Sequence, residues 1–320
     1  MPEIPVHRRA TPADALDAIA GRIARTPVMT STTLNRLTGL DLVFKCEQLQ
    51  KTGSFKFRGA SYAVSRLPHD CPGVATHSSG NHGAALAAAA ALRGFSADVV
   101  MPENAVEAKI EAVRAYGGRV HLCKPTQADR ENGLNELIER GLAAIPPYDH
   151  DDIIAGQGTV AVELLAQRPD LDCLVAPIGG GGLLAGMTLA VGQHRPGLRV
   201  IGAEPSGADD AARSRTAGRR VAEHHPETLA DGLRALIGVR NFAIIQANDI
   251  PILTVTEQQI IDAMALVWRH LKQLVEPSGA VPLAAVLAHP ESFRGVCTGI
   301  VLSGGNLDIR QLLSSLEPSG

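Results

Sequence analysis

Apolar residues fall into two rhythms along the chain: short unbroken runs, and longer stretches in which they return every three or four positions. The short β-like runs, at 42–46, 74–77, 97–101, 119–123, 173–178, 198–203, 252–255 and 295–302, predict strands. Helical spacing predicts helices over 11–24, 84–92, 128–143 and 257–274, with others starting near 105, 154 and 183. Thr11 is the expected N-cap of the first helix and Pro12 its first helical residue. Tyr116-Gly117-Gly118 stops a helix through a left-handed cap, and Pro146-Pro147 breaks the pattern again. Strands alternating with helices in this way predict a parallel α/β protein.

The runs at 74–77, 97–101 and 119–123 predict a small unit over 67–149, inserted into a larger one built from 1–66 and 150–320. The chain would cross between the two twice. A ligand is expected in the cleft between them, at the carboxyl ends of the strands.

Composition narrows the function classes. With 320 residues, 45% hydrophobic and 20% charged, the chain is long enough and apolar enough for a large core, which excludes disorder. Thirty Lys+Arg against 33 Asp+Glu give a net charge of −3, and aromatic residues are only 3%, so nucleic acid is not an expected partner. The five cysteines show no C-x-x-C pair, which argues against a disulfide framework or a zinc site. Met1 to Arg9 lacks the apolar core of a signal peptide, and the Ala-rich stretch at 84–92 is too short to span a bilayer. A cytoplasmic protein without a membrane partner is the expectation. The 32 glycines are an excess whose placement matters more than their number.

The candidate chemistry lies in five clusters. Lys56 stands where a loop enters a helix, and the field of a helix N-terminus lowers a lysine's pKa, which suits a Schiff-base nucleophile and base. A solvated helix-surface lysine is the plainer reading. Ser78-Ser79-Gly80-Asn81-His82-Gly83 joins an apolar run to an Ala-rich one, as an anion cradle suited to a carboxylate or as an ordinary capped turn. Gly179, Gly180, Gly181 and Gly182 follow a strand and open a helix at Leu183; a phosphate resting on bare N–H groups accounts for their entropic cost.

Gly180, Gly182 and Ala185 also fit G-x-G-x-x-A, with Glu204 ending the next strand, the fingerprint of an NAD-dependent oxidoreductase. Ser303-Gly304-Gly305-Asn306 is a turn whose serine can reach a ligand ring or cap a following helix. Glu204, Asp209 and Asp210 can share a hard cation or cap a helix start. His224-His225 reads as a surface pair rather than a metal site.

In combination these clusters resemble the fold-type II pyridoxal-phosphate enzymes of the serine/threonine dehydratase family, on the side of its serine racemases and 3-hydroxyaspartate dehydratases. Thr26-Pro27-Val28, Leu34-Asn35, Ile154-Ala155-Gly156-Gln157-Gly158-Thr159, Ala230-Asp231-Gly232 and Glu276-Pro277 extend the likeness over nearly the whole chain. The resemblance implies a two-domain, tryptophan-synthase-β-like α/β fold with pyridoxal 5'-phosphate in the cleft. It implies that Lys56 carries the cofactor and that Gly179 to Gly182 with Leu183 hold its phosphate. Asn81 would bond the ring hydroxyl, Ser303 would face the pyridine nitrogen, and Phe55 would pack beside the ring. Ser78, Ser79, Asn81, His82 and Arg130 would bind substrate, with Ser79 the acid/base group opposite Lys56. Glu204, the Ala208 carbonyl and Asp210 would hold Mg²⁺, Ca²⁺ or Mn²⁺.

The implied reaction is loss of water from a 3-hydroxy amino acid, with racemisation through Lys56 and Ser79 as the alternative exit. Arg130 suits a β-carboxylate, which sets 3-hydroxyaspartate beside L-serine and L-threonine as substrates. A cysteine-synthase-like enzyme would carry Asn-Thr-Gly at Asn81-His82-Gly83. The family implies a homodimer. Its nucleotide site corresponds to Ser31, Thr32, Lys51 and Thr52, and Thr33 in place of an apolar neighbour argues against activation by ATP. Too little chain follows Ser303 for a regulatory domain responding to isoleucine.

Overall fold

The computed structural model describes residues 10–223 and 225–308. The leader reading of Met1 to Arg9 and the His224 half of the histidine pair lie outside the described residues. Among those described, the strands are β1 (Val28–Thr30), β2 (Asp41–Cys46), β3 (Gly73–His77), β4 (Ser96–Pro102), β5 (Arg119–Cys123), β6 (Ala143–Ala144), β7 (Cys173–Pro177), β8 (Arg199–Pro205), β9 (Ile252–Val255) and β10 (Cys297–Leu302). The helices are α1 (Pro12–Ile19), α2 (Thr32–Thr38), α3 (Lys56–Ser65), α4 (Asn81–Ala91), α5 (Glu107–Ala115), α6 (Gln127–Glu139), α7 (Asp151–Gln167), α8 (Gly182–His194), α9 (Asp210–Ala217), α10 (Val239–Ala247), α11 (Glu257–Leu271) and α12 (Pro277–Ala288).

Two sheets result. The larger has the order β1-β2-β10-β7-β8-β9, parallel except for the β1–β2 pair, and the smaller, wholly parallel, has β5-β4-β3-β6. Strands β7 and β10 are buried throughout, as their unbroken apolar runs require. The small sheet shares a hydrophobic cluster with α1, α3 and α4, in which Ile19, Phe57, Ala60, Leu86 and Val99 meet. Helix α3 lies against α7 almost backbone to backbone: a Cβ on Gly156 would fall 2.6 Å from the Gly59 Cα.

Several predicted bounds move. The helix expected over 128–143 ends at Glu139, because Gly141 takes φ +91° and turns the chain into β6 beside β3. The helix from 11 ends at Ile19 rather than 24, where the chain turns at Gly21, though Thr11 and Pro12 cap it as expected. The helix from 257 stops at Leu271, with Lys272 in the left-handed region. Helix α12 has no counterpart among the predicted elements. It is buried from Pro277 to Val286 and apolar all round, so it carries no polar face to mark its period.

One polar cluster lies where β2, α3 and α7 meet. Arg58 donates to Glu47 from Nε (2.7 Å) and Nη2 (2.8 Å), and to Glu163 from Nη1 and Nη2 (both 2.9 Å). Lys45 reaches Glu163 at 2.8 Å, and all four side chains are buried. No described helix is long and apolar enough to cross a membrane.

Candidate active site

Lys56 is the first residue of α3, after a loop in which Thr52 and Gly53 both take positive φ. Its Nζ donates to the Pro147 carbonyl at 2.8 Å and lies 5.2 Å from the centre of the Phe55 ring. Burial pushes the amine down to about 8, against a smaller opposing pull from Glu276. Desolvation therefore does what the sequence assigned to the helix field. The Ser303 turn is joined to this loop: Phe55 N donates to Ser303 O at 3.0 Å, and Ser54 bridges Gly304. Ser303 is buried.

Helix α4 begins at Asn81. The Ser78 hydroxyl accepts from Gly80 N (3.2 Å) and Gly83 N (3.0 Å), so it shapes the turn and keeps its own proton to donate. Ser79 is exposed on that turn. His82 is buried, and burial with the nearby Lys56 charge holds its ring near 3, hence neutral. The ring meets the Ile145 carbonyl through Nε2 at 2.9 Å, so Nε2 carries the proton. What His82 offers a substrate is therefore its place in the cradle and its backbone.

Segment 145–149 links these parts. Ile145 and Pro147 present their carbonyls to His82 and Lys56, and Tyr148 packs on the tetraglycine turn. A Cβ on Gly180 would lie 2.3 Å from the Tyr148 ring, one on Gly179 would lie 2.8 Å from Leu233, and Gly181 has φ +87°. Only glycine fits these positions. Helix α8 starts at Gly182, leaving the N–H groups of its first turn, Leu183 included, without intrahelical partners.

Sequence reasoning passed over Glu276 as a site residue. It is buried before α12, accepts from Asn81 Nδ2 at 2.8 Å, and is pushed up to about 8 by burial and then by Asp231. Asp231 pairs with Lys109, whose stem lies over Gly80, so this ion pair joins the cradle to the floor beneath Gly179. A single glutamate in an apolar stretch before proline was the available signal. Arg130 sits on α6 and donates from Nε to the Thr126 carbonyl at 3.3 Å; its charge helps to lower His77 after burial.

Glu204, near the end of β8, and Asp210, the first residue of α9, are both wholly buried and close enough for the Asp210 charge to act on Glu204. Glu204 accepts from Ala211 N (3.4 Å) and Ala212 N (2.7 Å), which spends on helix capping the residue a dinucleotide ribose would need. Asp210 Oδ2 accepts from Ile237 N at 2.8 Å, next to Gly181. At the positions matching a nucleotide site, Ser31 caps α2 and the Lys51 ammonium rests on the Arg22 carbonyl.

The sequence matches the family of pyridoxal-phosphate dependent enzymes over residues 19–304. It is 46% identical to the beta-hydroxyaspartate dehydratase of Paracoccus denitrificans (strain Pd 1222), covering 93% of this chain and 96% of that protein. It is 45% identical to a serine racemase of Arabidopsis thaliana, covering 96% and 95% respectively. The maize serine racemase structure superposes with a TM-score of 0.92 at 40% identity, covering 97% of both chains. The chain belongs to the pyridoxal-phosphate dependent enzyme family.

Proposed function

We propose that this pyridoxal-phosphate dependent enzyme removes water from a 3-hydroxy amino acid to give an enamine, which tautomerises to an imine that water then hydrolyses to a 2-oxo acid and ammonia. The observation that carries the proposal is the half-buried Lys56 amine, framed by the Ser303 turn, the α4 cradle and, through segment 145–149, the tetraglycine turn. The cofactor, when bound, supplies an electron sink for the pair left at the substrate α-carbon. Lys56 takes the α-proton there. The amides of Gly179 to Gly182 and Leu183 would hold the phosphate, Phe55 would pack beside the ring, and Asn81 would direct an N–H to the ring hydroxyl. A hydroxyl at Ser303, in place of a carboxylate, would leave the ring nitrogen unprotonated and so favour departure of the β-hydroxyl over transamination. Ser78, Asn81 and the backbone to His82 hold the substrate carboxylate.

The Lys56 amine must be neutral to capture the cofactor. Its pKa of about 8 predicts a capture rate that rises with pH and levels off above that value. A rate still climbing toward pH 10 in stopped-flow absorbance would show an ordinary exposed amine.

For the substrate we favour 3-hydroxyaspartate, because Arg130 on the small unit offers a fork to a second carboxylate. Arg130→Ala is expected to raise KM for 3-hydroxyaspartate about tenfold, as loss of one charge-assisted contact implies, and to leave L-serine nearly unchanged. A substrate ranking untouched by the substitution removes the arginine from the argument. Ser79, exposed at the mouth, supports a second exit: reprotonation on the face opposite Lys56, giving the enantiomer. Ser79→Ala should then abolish inversion measured in deuterated water and spare ammonia release.

We also propose that residues 67–149 move as the closing unit, and that Glu204, the Ala208 carbonyl and Asp210 hold Mg²⁺, Ca²⁺ or Mn²⁺. The donor set fits a hard cation: two buried carboxylates and a carbonyl, with Glu204 pushed up to about 9 chiefly by burial and partly by Asp210. Such a cation would brace Ile237 and hence the tetraglycine turn. Mg²⁺ at 100 times its Kd should stabilise the fold by about 2.7 kcal/mol, read as a thermal shift that Glu204→Gln loses. A cytoplasmic homodimer without nucleotide activation completes the reading. Exposed Trp268 and Leu274 supply apolar surface for a second copy, and light scattering measures the mass.

A further inference from the structure

Asn81 is held from two sides by residues far from it in sequence. Its Nδ2 donates to Glu276 Oε1 at 2.8 Å, and its Oδ1 accepts from Asn306 Nδ2 at 2.9 Å. Asn306 Nδ2 also donates to the Thr52 carbonyl at 2.7 Å. A backbone carbonyl only accepts, so the Thr52 contact fixes which end of the Asn306 amide is nitrogen. Both N–H bonds of that nitrogen are then used, one on Thr52 and one on Asn81.

The Asn81 amide takes its orientation from this: oxygen toward Asn306, nitrogen toward Glu276. One N–H of Asn81 is left for a further acceptor. The fit around Asn306 is close. A Cβ on Gly53 would lie 2.2 Å from Asn306 Oδ1, and Gly53 has φ +73°, so the loop before Lys56 is shaped around this side chain. Gly305 N donating to Gly53 O at 3.0 Å closes the same turn.

We propose that Asn306 is a positioning residue for Asn81, fixing its amide so that an N–H faces the cofactor's ring hydroxyl and tying the start of α4 to the Lys56 loop. The inference rests on the reading of Asn81 as the ring-hydroxyl partner. An Asn81 amide turned by half a rotation would set oxygen against oxygen and replace a hydrogen bond by repulsion.

Asn306→Asp keeps the volume and, when ionised, presents an acceptor to Thr52 and to Asn81. Pyridoxal phosphate affinity, read by absorbance titration of the full-length apo-protein, should fall about tenfold, the equivalent of one hydrogen bond. The kcat should fall with KM little changed. Both losses should recover as pH is lowered, because a protonated carboxyl donates one bond. Asn306→Ala should show a smaller loss with no such recovery, and Asn306→Ser, which retains one donor, should lie between Asn306→Ala and the wild type.

In an Asn81→Ala background, Asn306→Asp should lose most of its effect, keeping only the part that acts through Thr52. If Asn81→Ala leaves cofactor affinity and absorbance unchanged, the reading of Asn81 itself falls. If Asn81→Ala weakens binding but Asn306→Asp shows no recovery at low pH, or adds its full loss in that background, the positioning role is overturned. Should Asn306→Asp fail to fold by circular dichroism, wild-type affinity in both Asn306→Ala and Asn306→Ser overturns it equally.

Discussion

Lys56→Ala is expected to lose turnover by about four orders of magnitude or more, along with the absorbance of covalently held cofactor. Two roles disappear together, attachment of the cofactor and removal of the α-proton. No other lysine is placed to take them over. Of the six in the chain, Lys45 is buried in the Arg58 cluster, Lys51 rests on Arg22, Lys109 pairs with Asp231 and Lys272 donates to Arg269 O. Lys124 is exposed after β5. Lys56→Arg keeps a cation at the helix start and should be as inactive, since a guanidinium does not lose its proton in this range. Circular dichroism of both variants should match the wild type. Turnover retained within tenfold in either would remove Lys56 from the centre of the chemistry.

Arg58→Leu is expected to cost about 3–5 kcal/mol of folding stability, because it strands Glu47 and Glu163 in the interior with only Lys45 as counter-charge. The guanidinium makes four bonds to those carboxylates, which a lysine cannot reproduce, so Arg58→Lys should lose part of this. The pH dependence follows from Glu163. Burial pushes its carboxyl up, but the bonds from Arg58 and Lys45 outweigh burial and hold it below the usual range. A carboxyl depressed in the folded state contributes stability that is present above its unfolded pKa and is lost as pH falls through the folded one. The advantage of the wild type over Arg58→Leu should therefore shrink as pH falls, because protonation removes the wild type's ion pairs and relieves the carboxylates stranded in the variant. Urea unfolding at neutral pH and near pH 4 measures both effects, and a loss under about 1 kcal/mol at neutral pH would mean the cluster does not hold α3 in place.

How much was readable in advance follows from locality. Strands β2, β3, β4, β7, β8 and β10 were visible because burial on both faces leaves a mostly apolar run, while β5, partly exposed along its length, was visible only from its place after the Gly117-Gly118 stop. Helix α12 was not, since a helix buried all round shows no period, and β6 is two residues long. The same division holds in the site. Lys56, the tetraglycine and the Ser303 turn announce themselves in short local patterns. Glu276 and Asn306 act on Asn81 from 195 and 225 residues away, and no spacing rule reaches that far. His82 was readable as a cradle residue, but its neutral ring on Ile145 O depends on burial that only the packed chain creates.

The most direct measurement is product formation by the purified holoenzyme with 3-hydroxyaspartate, L-serine and L-threonine. Ammonia and the matching 2-oxo acid should appear in equal amounts, fastest from 3-hydroxyaspartate, and from none of the three with Lys56→Ala. Enantiomer accumulating without ammonia, or no product from any of the three, would contradict a dehydratase.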